Sequence, residues 1–153
     1  MYTFKLDSKE QCKAVKWVQL AASKDKARAI LNGLYINNGE TAASDGFRMH
    51  IIETPDALTQ FTSKVIQPVS TVTVTPQIQE VTEIEGTFPD YNQIVPTKEP
   101  VFQIRINPAY LAGLKDMPGE EEGVLLSFTA HNEPVKVTKG DSVAVIMPMQ
   151  LEK

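Results

Sequence analysis

Tyr2, Phe4 and Leu6 alternate with Thr3 and Lys5, the period-two pattern of a strand with one buried face. Ser8 and Gln11 follow at the three-residue spacing of a capping box, so a helix opens there. Over residues 9–22 Lys9, Lys13 and Lys16 gather on one side of the helical wheel, and Ala14, Val15, Val18, Ala21 and Ala22 gather on the other. Leu20 falls among the lysines and does not fit the pattern. From Ala29 the period shortens: residues 30–36, 41–44 and 47–52 read as strands. Asn38-Gly39 between the first two tolerates the positive φ of a type I′ turn, and Asp45-Gly46 offers a second turn or a bulge. A polar stretch follows Pro55, and then come two further strands, Val69 to Thr75 and Gln77 to Val81.

Residues 96–100 read as a connection and Val101 to Ile106 as a strand. Asn107 caps a second helix that has Pro108 at its first position, an apolar stripe of Tyr110, Leu111, Leu114 and Met117, and a stop at Pro118-Gly119. An acidic loop, 120–123, leads to closing strands at 124–129, 135–138 and 142–147, the last two joined through Lys139-Gly140-Asp141. Strand-helix-strands is therefore written twice, although no residue-level repeat accompanies it. The expected fold is α+β, with two helices packed on one face of antiparallel sheet. A length of 153 residues suits a single domain over 1–153 with its own core.

Composition narrows the function. Hydrophobic residues at 42% and charged residues at 22% include no apolar run near the roughly 20 residues of a membrane helix. The first residues lack the pattern of a secretory signal. The one cysteine, Cys12, excludes an internal disulfide, and a cytoplasmic location is expected. A net charge of -4 argues against a surface that clings to phosphates all over. Yet Lys9, Lys13, Lys16, Lys24, Lys26 and Arg28 crowd together, whereas Glu80, Glu83, Glu85, Asp90, Glu99, Asp116 and Glu120 to Glu122 lie later, which predicts a basic face on an acidic body.

Catalytic chemistry is missing. His50 and His131 stand far apart without metal-site spacing. The eight glycines form no phosphate-binding loop, and no histidine is placed to activate Ser44. The glutamate run reads as a solvated loop. No enzyme, metal or cofactor is expected. What stands out instead is two segments that set apolar side chains beside prolines, Gly86 to Tyr91 and Val143 to Leu151, a composition suited to a groove for another protein's peptide.

Those segments carry a resemblance. Ala43 to Met49 resembles the Thr-Asp-Gly-His-Arg-Leu stretch of bacterial beta sliding clamps, the processivity subunit of DNA polymerase III, and residues 29–36 resemble the strands before it. Gly86 to Tyr91 with Ile94-Val95-Pro96 is similar to the clamp's Gly-x-Phe-Pro-Asp-Tyr-x-x-Val-x-Pro. The strand and helix around Asn107 and Tyr110 resemble the second half of the clamp's last domain, and Val145 to Leu151 is similar to its ending Val-Val-Met-Pro-Met-Arg-Leu. A full clamp subunit has three similar domains and more than twice this length. The chain resembles the front of the middle domain joined to the back of the last, a reduced, one-domain clamp of a kind that would suit a phage, prophage or plasmid.

The resemblance implies a DNA-clamp fold and a non-enzymatic processivity factor for DNA replication. Its partners would be double-stranded DNA, held without sequence reading, and peptides of polymerase, clamp loader or repair proteins, commonly ending in Leu-Phe. It implies a peptide pocket of Ser44, Gly46, Phe47, Arg48, Met49, Pro89, Gln93 and Ile94, completed by Asn107, Tyr110, Val145, Ile146, Met147, Pro148, Met149, Gln150 and Leu151. Phe47 stands where the family has histidine, and Gln93 and Gln150 where it often has arginine, so charge is lost at the rim. DNA would meet Lys9, Lys13 and Lys16, with Lys24, Lys26 and Arg28. A ring of six domains calls for a homo-oligomer of about six such chains joined head to tail. The alternative is a monomeric or dimeric peptide-binding adaptor or decoy that does not encircle DNA.

Overall fold

The opening alternation becomes strand β1 (Tyr2–Lys5), and the capping box opens helix α1 (Lys9–Gln19) in the computed structural model, which describes residues 1–69 and 78–151. Ser8 Oγ accepts the amide of Gln11 at 3.1 Å, while the Gln11 side chain reaches back to the amide of Asp7 at 2.8 Å. Backbone groups that a helix start leaves unpaired are thereby met from both sides. A 3-10 segment, Lys26–Asn32, occupies the stretch expected to begin a strand; β2 starts at Leu34 (Leu34–Asn37). The strands β3 (Glu40–Ser44) and β4 (Met49–Glu53) follow, then a 3-10 segment (Asp56–Phe61) and strands β5 (Lys64–Ile66), β6 (Ile78–Val81) and β7 (Glu83–Ile84). Beyond Val69, the strand expected up to Thr75 lies outside the described residues.

Contacts divide the chain into two compact units, Met1–Ile94 and Val95–Lys153. In the first, β1 pairs antiparallel with β6, and five strands run in the order β4-β3-β2-β5-β7, every pair antiparallel. Asn38 (φ 49°) and Gly39 (φ 79°) make the β2–β3 turn, both in the left-handed region that Asn-Gly tolerates.

Register explains why residues 34–36 read as an unbroken apolar run. Tyr35 faces Ala42 and Val65, with Ile51 and Ile84 beyond them, all on one side of the sheet. Leu34, Ile36, Ala43 and Ile66 point to the other side. Both faces are covered. On the second side Val15, Val18 and Cys12 of α1 join Phe4, Leu6, Leu58 and Phe61 in the main core. Phe61 is 1% exposed and meets Phe4 and Tyr2 edge-on, at 5.9 and 5.6 Å between ring centres.

On the first side Phe88 stacks on Tyr35 at 4.9 Å, and Tyr91 meets Tyr35 edge-on at 6.2 Å. The Tyr91 hydroxyl donates to Glu40 Oε2 at 2.8 Å, so the segment after β7 is fastened to the start of β3. Burial, with that bond to a carboxylate, pushes the Tyr91 hydroxyl up to about 12. On the edge of the same sheet Lys64 of β5 pairs with Glu83 of β7, whose hydrogen bond raises the lysine above its ordinary value.

The second unit is smaller. Helix α2 (Pro108–Gly113) is capped by Asn107, whose Oδ1 accepts the amide of Ala109 at 3.0 Å. Gly113 ends its regular part, and Leu114–Asp116 tighten to 3-10 before Met117, shortening the expected helix. Strands β8 (Leu125–Ser127), β9 (Val135–Lys139) and β10 (Ser142–Ile146) form an antiparallel sheet with β9 central. Val135, Val137 and Ile146 are its buried centre, with Ile104, Ile106, Leu114 and Met117 packed around them. The strand expected at 101–106 is reduced to one bridge, Arg105 with Met149, in which the Met149 amide donates to the Arg105 carbonyl at 2.8 Å. The antiparallel α+β expectation is borne out.

Phe61→Ala empties the middle of the main core and is expected to cost about 3–5 kcal/mol, read as a lower urea midpoint. Tyr91 gives a pH test. Its folded pKa lies above the ordinary value of 10, so its contribution is complete below pH 10 and is lost as pH rises through about 12. The urea midpoint of the wild type should therefore fall more steeply over that window than that of Tyr91→Phe, which should itself lose about 1 kcal/mol at pH 8. Parallel curves would show that the Tyr91–Glu40 bond contributes nothing.

Candidate functional site

The link between β3 and β4 is tied into one shape by its own side chains. Asp45 Oδ1 accepts the amides of Phe47 and Arg48 at 2.9 and 3.0 Å, and Ser44 Oγ accepts the Gly46 amide at 3.1 Å while donating to the Arg48 carbonyl at 2.9 Å. Such turns are a property of short polar side chains that reach back to the backbone. Gly46 supplies the φ of 92° that the reversal needs. The two amides hold the Asp45 carboxyl below its ordinary range, and the Arg48 guanidinium adds to this. Phe47 at the tip of this turn is 92% exposed.

Facing this turn is the segment that the Tyr35–Phe88 stack and the Tyr91–Glu40 bond fasten to the sheet. Between them lies a pocket of about 300 Å³, lined by Ser44, Gly46, Phe47, Arg48, Met49, Phe88, Pro89 and Ile94. Seven of these eight are residues expected at the peptide site. Phe88 is the addition; its signal was its place inside the Gly86–Tyr91 segment. The lining is mostly apolar, with a proline and a methionine in it, which suits an apolar anchor.

Two expected members behave differently. Gln93 does not line this pocket: its side-chain amide donates to Asp90 Oδ2 at 3.1 Å. Arg48 lines it and also makes two bonds within the fold, Nη2 donating to the Leu20 carbonyl at 2.7 Å and Nε to Asp45 Oδ2 at 3.0 Å. In the fold it spans from the turn to the C-terminal end of α1, where a cation is favoured by the helix dipole.

In the second unit Tyr110, Val145, Ile146 and Met147 line a groove of about 520 Å³ together with Ala109, Gly113, Leu114 and Ala144. Asn107 is spent on capping α2. Pro148, Met149, Gln150 and Leu151 do not line this groove; Met149 pairs with Arg105 instead. Val145, Met147 and Tyr110 are all more than half exposed.

The basic residues are placed as the wheel implied. Lys9, Lys13 and Lys16 are exposed on α1, opposite its buried Cys12, Val15 and Val18. Lys24, Lys26 and Arg28 are exposed in the segment that follows, where Arg28 pairs with Asp25 at 3.6 Å. Among the described residues no group of three or more His, Cys, Asp or Glu is placed to hold a metal ion, and no helix is long and apolar enough to cross a membrane.

No protein-family model matches the chain, and no curated protein does. Solved structures do. A DnaN sliding clamp from Bartonella birtlesii, bound to griselimycin, aligns with a TM-score of 0.67 at 15% identity, over 99% of this chain and 52% of that one. The beta sliding clamp of C. crescentus aligns at 0.63 with 16% identity, over 97% and 50%. DNA polymerase III subunit beta from Borrelia burgdorferi aligns at 0.60 with 13% identity, over 99% and 64%. The chain thus spans between half and two thirds of the length of these clamps, and across almost all of its own length it has the fold of the bacterial beta sliding clamp.

Proposed function

We propose that this chain is a sliding-clamp-like processivity factor for DNA replication, non-enzymatic, that takes the peptides of partner proteins in the pocket between the Ser44–Met49 turn and the Phe88–Ile94 segment. The observation that carries this reading is that seven of the expected residues converge on one apolar pocket in a chain with the clamp fold. An apolar pocket with a deformable methionine wall accepts an aliphatic or aromatic anchor and leaves the peptide's backbone to polar groups at the rim. The apolar groove beside Tyr110 and Met147 offers a further surface for such peptides.

The lysines of α1 give the second part of the reading. Phosphate contacts by exposed lysines hold duplex DNA without reading bases, as a sliding protein requires. Chains joined head to tail would close into a ring of about six around the duplex. A second reading, a monomeric or dimeric adaptor, is favoured by one observation: the pocket at the Ser44–Met49 turn is lined entirely by residues of the first unit, so peptide binding there does not require a ring.

Phe47 is the residue to change first, because it is exposed and its loss spares the core. Phe47→Ala should weaken binding of a fluorescent peptide ending in Leu-Phe roughly tenfold, with an unchanged thermal midpoint. Equal affinity in the two proteins would place the peptide elsewhere. Light scattering on a sizing column, at low and moderate salt, separates the two readings: a mass near about six chains is expected for the ring. One or two chains at every concentration would leave the adaptor.

A further inference from the structure

Trp17 is the only tryptophan of the chain, and it does not belong to the buried stripe of its helix. It stands one turn after Lys13 and next to Lys16. Its ring lies flat on the imidazole of His50 in β4, 4.0 Å between centres and 6° from parallel. His50 is itself fixed, its Nδ1 lying 2.8 Å from the Trp17 carbonyl oxygen. With one face backed in this way, 47% of Trp17 remains open to solvent. Leu20, the misfit on the lysine side of the wheel, is exposed one turn further on.

Core packing does not call for this arrangement, because Cys12, Val15, Val18 and Ala21 already bury the helix. An aromatic plate held rigid by a second ring and flanked by lysines matches what single-stranded nucleic acid offers. Phosphates pair with the cations, and an unstacked base lies on the ring. Duplex DNA keeps its bases inside the stack and presents no ring face to meet Trp17. Charge also sets the direction of the surface. Glu10, Glu53 and Asp56 line one shared depression beside the N-terminal half of α1, which turns phosphates away and leaves the C-terminal half as the favourable track.

We propose that Lys13, Lys16 and Trp17 form a binding surface for single-stranded nucleic acid, in which an unpaired base stacks on Trp17. The surface shares two lysines with the proposed duplex contact but depends on a ring that the duplex does not use.

The lone tryptophan makes the test direct. Titration of the full chain with a short oligothymidine at low salt should quench Trp17 fluorescence to saturation, whereas a duplex of equal length should bind, by anisotropy of a labelled strand, without quenching. Trp17→Ala should weaken oligothymidine roughly tenfold and leave duplex affinity unchanged, and Trp17→Phe should fall between. Oligothymidine that binds without quenching, that fails to bind, or that binds Trp17→Ala as tightly as wild type would overturn the proposal. The paired change Lys13→Ala with Lys16→Ala isolates the duplex reading. If duplex affinity is untouched while the wild type still shows quenching by oligothymidine, the duplex contact is wrong and the stacking surface stands.

Discussion

The first unit depends on how the C-terminal end of α1 is fastened to the sheet beneath it. Two side chains from the β3–β4 region reach its last carbonyls: Arg48 donates to Leu20, and the His50 ring nitrogen sits against Trp17. The Trp17 carbonyl also accepts the Leu20 amide, whereas a last carbonyl such as that of Leu20 is otherwise left to water, and a cation placed there also meets the negative end of the dipole. Arg48 is well exposed, so this tie is a modest contributor beside the buried face of Val15 and Val18. Its importance is geometric. The same guanidinium is bound to Asp45, whose two backbone bonds shape the turn that lines the pocket. The helix that displays the lysines and the turn that displays Phe47 are therefore held by one residue.

Much of this was legible in the chain. Helix α1, the Asn38-Gly39 turn and the closing hairpin were written in period, cap and turn residues, all of which act locally. Failures came where tertiary partners decide. Residues 101–106 alternate like a strand, but a strand needs a partner along its length, and here pairing is limited to the single Arg105–Met149 bridge. The change of period at Ala29 predicts a strand from Ile30; Ile30, Leu31 and Asn32 instead lie in the 3-10 segment before Gly33, and only Leu34 onward joins the sheet.

The pocket was legible to a similar depth. Its residues could be picked out by resemblance, because they lie in two short segments whose order is distinctive. What each would do with its polar atoms could not. Arg48, Asn107 and Gln93 were all expected at the peptide site, and each has a partner within the fold: a helix carbonyl, a helix amide, an aspartate. Hydrogen-bonding capacity is visible in a sequence, whereas its use depends on which groups the fold brings within 3 Å.

Period two in β2 through β5 separates the two proposed tasks. Tyr35, Ala42 and Val65 turn to the side where Phe88 and Tyr91 pack, Phe88 also lining the pocket, and Leu34, Ile36 and Ala43 turn to the side where α1 packs. A slip of one residue in the β2–β3 register would exchange those sets and spoil both sides at once, so the Asn38-Gly39 turn that fixes the register serves each of them. The two sides also obey different physics. Lysine contacts to phosphates release counterions and weaken steeply with salt, while an apolar pocket is nearly indifferent to it. In the proposed function, salt would therefore loosen the contact with DNA without loosening the contact with a partner peptide.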